Sequence, residues 1–162
     1  MARMAVAVAV LLTVSAAQAQ LDGTGIGIIL GEPTGLCFKS WLSGTTAIEG
    51  GAAWSLGDNE GVYLFADYVL HSLNIVDDPS ADLYGLMFTY GFGGKVRFYE
   101  KDNPPPQDDE SKVIFGARIP LGLAYPFEGA PVDIFVEIVP GLDLIPETDF
   151  EVAGGIGARL YF

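Results

Sequence analysis

The chain is poor in the residues that would staple or catalyse. Its one cysteine, Cys37, cannot close an intramolecular disulfide, so stability must come from packing and hydrogen bonding. Bases are scarce: 8 Lys+Arg stand against 21 Asp+Glu, a formal net charge of −13. Such a surface repels nucleic acid and anionic head groups, which excludes nucleic-acid binding as a function. Beyond residue 19 there is also no apolar run near 18 residues, so helices cannot be what crosses a membrane. Yet half the chain is apolar and its mean hydropathy is positive. Strands with alternating apolar and polar residues reconcile these facts, because they carry many apolar side chains without forming a run.

The first residues are a special case. Arg3 precedes an apolar stretch from Met4 to Val14, and small residues follow, ending in Ala17-Gln18-Ala19. This is the layout of a secretory signal peptide, too short to span a bilayer as a helix. Residues 1–19 are expected to be removed, leaving residues 20–162 as one domain beginning at Gln20. No cysteine follows the cleavage site, so it is not a lipoprotein signal. Loss of Arg3 leaves seven bases and all 21 acids, a net charge of about −14 by that count.

From Gly23 onward eight strand-like stretches follow one another, at 24–31, 34–42, 47–56, 62–72, 84–98, 113–127, 132–144 and 149–162. Most connections are short, such as Glu32-Pro33, Ser43 to Thr46, Gly57 to Gly61 and Glu128 to Pro131, which predicts antiparallel neighbours in a meander. The segment from Glu100 to Lys112 differs. It sets Pro104, Pro105 and Pro106 among acids and is expected to project into solvent on the cell exterior. Pro120 falls inside the sixth stretch, where it costs a ladder hydrogen bond; a bulge is expected there.

Residues two apart share a strand face. In the last stretch Phe150, Val152, Ile156, Leu160 and Phe162 fall on one face, with Glu151, Arg159 and small residues on the other. The seventh opposes Val132, Ile134, Val136 and Ile138 to Asp133, Glu137 and Asp143. The polar faces of the remaining stretches carry Lys39, Glu49, Asp67, His71, Lys95, Arg97 and Arg118. Five bases and six acids thus occupy strand faces otherwise made of Gly, Ala and Thr, while the acidic excess lies in the connections. Such near balance suggests an enclosed set of compensating pairs, since unpaired buried charge is costly. A turn from Ile145 to Asp149 would set Leu144 opposite Phe150 and Arg159 opposite Phe135, from which Arg159 reaches both Asp133 and Glu137.

The end of the chain, Gly157-Ala158-Arg159-Leu160-Tyr161-Phe162, resembles the terminal signal that the outer-membrane assembly machinery recognises in bacterial barrel proteins, with Gly157, Leu160 and Phe162 in its key positions. The whole mature chain is similar to small outer-membrane barrels of the OmpX and OmpA-domain type. Pro33 to Leu36, Ala47 to Gly51, Asp67-Tyr68 and the Gly154 to Phe162 tail resemble a family of uncharacterised outer-membrane proteins. The resemblance implies an all-β, eight-stranded, antiparallel up-and-down transmembrane β-barrel in the bacterial outer membrane. Its partners would be membrane lipid and, during biogenesis, the assembly machinery; no surface partner and no catalytic residue come with it.

Candidate chemistry is thin. His71 is the only histidine, and the adjacent Ser72 points to the opposite face, which separates a nucleophile from its base. Asp67 shares the face of His71 but lies about 13 Å along the strand. The glycine clusters at 23–27, 91–94 and 154–157 lack a following helix or a P-loop lysine, so they relieve crowding instead of binding nucleotide. Asp108, Asp109 and Glu110 lack the spacing of a calcium loop. Cys37 reads as a buried, inert thiol. No metal or cofactor is expected. The leading expectation is a non-enzymatic integral barrel with a structural or surface-interaction role and no general pore. The alternatives are an enzyme acting on lipid A or phospholipid and a soluble, lipocalin-like periplasmic binder with the strand faces exchanged.

Overall fold

The computed structural model describes residues 23–32, 34–55, 61–72, 75–76, 78–101 and 110–162. The expected signal peptide, residues 1–19, and the Pro104–Pro106 segment lie outside the described residues. Nine strands follow in order: β1 (Thr24–Glu32), β2 (Thr34–Trp41), β3 (Thr46–Ser55), β4 (Gly61–Ser72), β5 (Met87–Lys101), β6 (Glu110–Arg118), β7 (Leu121–Pro126), β8 (Val132–Ile145) and β9 (Asp149–Tyr161). Each pairs antiparallel with its neighbours, and β1 pairs with β9. β6 and β7 both lie between β5 and β8, one above the other, so nine strands fill eight places in a closed ring. Closure leaves no unpaired sheet edge.

The expected sixth strand is therefore divided, and the reason is proline. Gly93 opposes Arg118 and Tyr90 opposes Leu121, so the register towards β5 is the same before and after the interruption. Towards β8 it is also the same, from Arg118 opposite Gly141 to Leu121 opposite Ile138. Pro120 thus removes a hydrogen bond without inserting a residue, and the expected bulge is not there. Pro140 sits on the facing strand at the same level, where its carbonyl accepts from Ile119 N–H at 2.9 Å but its nitrogen donates nothing. Each proline thus removes one donor: Pro120 accepts from Gly91 N–H at 3.0 Å but returns nothing to β5, and Pro140 returns nothing to Ile119. The register shift lies at Phe115/Gly116 instead.

Two other boundaries move. Residues 84–86, expected in the fifth strand, belong to turns, because Gly85 adopts φ +89° and the extended chain begins only at Met87. Conversely, residues 99–101 pair with 110–112, so part of the segment expected to be loop is a hairpin extension of β5 and β6.

Pairing around the ring climbs. Starting at Tyr161 and stepping from partner to partner gives Gly25, Lys39, Glu49, Asp67, Gly93, Arg118, Gly141 and finally Glu151. The walk returns to β9 ten residues from where it began, 161 against 151. A stagger of this kind accompanies the tilt of strands in a closed sheet. It also places five of the eleven inward charged residues, Lys39, Glu49, Asp67, Arg118 and Glu151, on one winding row.

Candidate functional site

The two faces of the ring are chemically inverted relative to a water-soluble protein. Outward stand Ile26, Ile28, Leu36, Phe92, Ile138, Val152, Ile156 and Leu160, each at least 45 % exposed. Inward stand Lys39, Asp67, Lys95, Arg118, Asp133 and Arg159, each at most 3 % exposed. Among described side chains within the strands, charge appears on the outer side only at Glu32, the last residue of β1. Strand alternation alone produces this separation, since each charged residue is an even number of positions from its inward neighbours.

The ions form three groups. At the end of the ring where the termini lie, Lys39 sits 3.2 Å from Glu49 and donates to Nε2 of His71 at 2.6 Å. Arg159 bonds Glu49 at 3.1 Å and Asp133 at 3.0 Å, and the Tyr161 hydroxyl donates to Asp133 at 2.7 Å. Trp41 lines this group, its ring 4.3 Å from that of His71 and 4.3 Å beneath the Lys39 ammonium. In the middle, Arg118 meets Asp67 at 3.2 Å, Glu137 at 3.7 Å and the Tyr63 hydroxyl at 3.1 Å, with its guanidinium 4.0 Å over Phe65. At the far end Lys95 lies 2.5 Å from Asp143, and Glu151 accepts from both Lys95 and Arg97.

Every inward base and acid singled out in the sequence thus has an opposite charge beside it. Their grouping differs from the expected one. Arg159 lies directly opposite Asp133, not Phe135, because Leu142 faces Phe150 and the turn of five residues starts at Leu144. A shift of one residue in the turn moves every partner by two, which preserves the faces and changes the contacts. Glu137 consequently pairs with Arg118, and the second acid of Arg159 is Glu49 on β3. That contact crosses the ring and leaves no trace in local sequence.

Glycines make the room. A Cβ at Gly93 would lie 2.0 Å from Oδ1 of Asp67, and one at Gly116 would lie 2.4 Å from Cε of Lys95. Cys37 is buried beside Ile29, Met87, Ala124 and Phe135 in an apolar layer. His71 is buried, while Ser72 is exposed on the other face. Two interior cavities of about 10 Å³, one touching Trp41, Asp133 and Tyr161 and the other Arg118 and Glu137, are each the size of one water molecule. Among the described residues no group of three His, Cys, Asp or Glu could hold a metal ion.

No protein-family model and no curated protein matches the chain. Among solved structures, it is similar to the N-terminal β-barrel domain of Pseudomonas aeruginosa OprF, with a TM-score of 0.69 over 87 % of this chain and 98 % of that one. The fold is a β-barrel of that kind. At 14 % identity the likeness extends to the barrel's architecture and no further; it does not single out the OmpX type.

Proposed function

We propose that this barrel is an integral protein of the bacterial outer membrane, exported by a signal peptide cleaved before Gln20, with a structural or surface-interaction role and no general pore. The inversion of its faces carries the proposal. Exposed Ile, Leu, Val and Phe on every strand but β3, which presents Ala52 and Trp54, are favourable in hydrocarbon and unfavourable in water, whereas paired ions inside need no bulk solvent. A soluble barrel would carry its charge outside. Outward aromatics include Trp54, Phe98, Phe115 and Phe150 towards one end and Phe88, Phe127 and Phe162 towards the other, where membrane-interface girdles lie, with Phe38, Tyr90 and Phe92 between them.

Ion pairs occupy the described interior, which argues against general solute passage. Lipid is the partner of the outer face, and Gly157, Leu160 and Phe162 would be read by the assembly machinery. The decisive experiment is fractionation of envelopes: extraction only by detergent is the expected result, and release by osmotic shock would overturn the assignment.

A further inference from the structure

The interior ions are not shared evenly among the strands. β1 contributes none, its first inward positions being Gly25, Gly27 and Ile29. Side chains of β9 pass over it. A Cβ at Gly25 would lie 2.8 Å from the Tyr161 ring, and one at Gly27 would lie 2.7 Å from Cγ of Arg159. Arg159 thereby reaches across β1 and β2 to Glu49 on β3 at 3.1 Å. Each side of this contact is already neutralised without the other: Arg159 has Asp133 on the adjoining β8, and Glu49 has Lys39 on the adjoining β2. In a sheet not yet closed, β9 and β3 belong to opposite flanks. The Arg159–Glu49 bond is therefore specific to the closed ring.

We propose that the Arg159–Glu49 pair is a clasp that locks the ring shut where its first and last strands meet, and that Gly25 and Gly27 are the slot through which β9 reaches it. The ladder holds this seam edge to edge; the clasp holds it from within, to a strand two places beyond. Reopening then requires a buried ion pair to separate along with the hydrogen bonds, which makes the seam open as a unit instead of fraying.

Arg159→Met combined with Asp133→Asn tests the clasp, because it leaves the Glu49–Lys39 side intact and removes the contact across the seam. A matched control neutralises the middle group with Arg118→Met, Asp67→Asn and Glu137→Gln. Amide hydrogen exchange of the full chain folded in detergent micelles is the readout. The expected result is exchange at least tenfold faster in β1 and β9, unchanged in β4 to β6, and no selective effect of the control on β1 and β9. Ile28→Cys with Ala158→Cys, in a Cys37→Ser background, joins facing residues of β1 and β9 on the outer side and should restore slow exchange. Should the double variant not fold, recovery of folding by that disulfide supports the clasp. Unchanged exchange in β1 and β9, equal acceleration in every strand, or no rescue by the disulfide would each overturn it.

Discussion

Replacing Arg118 by Met tests whether the interior ions act as compensating pairs. Arg118 is 3 % exposed and makes ion pairs with Asp67 and Glu137, a hydrogen bond to Tyr63 and a ring contact with Phe65. Methionine keeps much of the volume and leaves two carboxylates facing one another without a cation. Breaking a buried pair from one side typically costs about 3–5 kcal/mol, because the desolvation of the remaining charge is no longer offset. The contact to Glu137 is long, which places the expectation near the lower end. Adding Asp67→Asn and Glu137→Gln removes the uncompensated charge, so the triple variant is expected to recover most of the loss. Urea unfolding from lipid vesicles, followed by the fluorescence of Trp41 and Trp54, measures the difference if the slopes stay equal. A single variant within about 0.5 kcal/mol of the parent, or a triple variant no more stable than the single one, would refute the compensation argument.

Gly93→Ala is expected to lose roughly 1–3 kcal/mol in the same assay, since the added methyl meets the Asp67 carboxylate and the Ala66 carbonyl; neutral behaviour would show that the interior has slack. Ile156→Lys, on the outer face of β9, is expected to cost roughly 2–4 kcal/mol in vesicles, whereas the same change on a water-exposed surface falls within about 0.5 kcal/mol. Deleting Phe162 removes the paired backbone contacts with Thr24 and an exposed ring. It is expected to lower the amount assembled in membranes well beyond what about 1.5–3 kcal/mol of ring burial would explain, and equal membrane levels would remove the case for an assembly signal.

The faces of the strands were legible because side-chain alternation is set by the backbone and does not depend on which strands are neighbours. Alternation alone puts Arg159, Asp133 and Glu137 on the polar face, and all three point inward. Their partners were not legible to the same degree. Register depends on where a turn begins, and moving the start from Ile145 to Leu144 sends Glu137 to Arg118. The contact of Arg159 with Glu49 requires knowledge that the ring closes and how far it is staggered, which is a property of all the strands together. Pro120 signalled a defect correctly in place and wrongly in kind: a missing donor interrupts the ladder without lengthening a strand, and the facing Pro140 removes a second donor on the side towards β8.

The climbing row of partners also governs what a passing ion would meet. Because the row from Lys39 through Glu49, Asp67 and Arg118 to Glu151 winds upward like a spiral stair, its charges of both signs stand at successive depths. A selectivity ring needs like charges at one height around the whole circumference, and a staircase of mixed sign denies any cross-section that symmetry. An anion or cation displaced along the axis would find each attractive group followed within a step or two by a repulsive one. The stagger that lets the sheet close thus also leaves its axis without a preferred sign of charge.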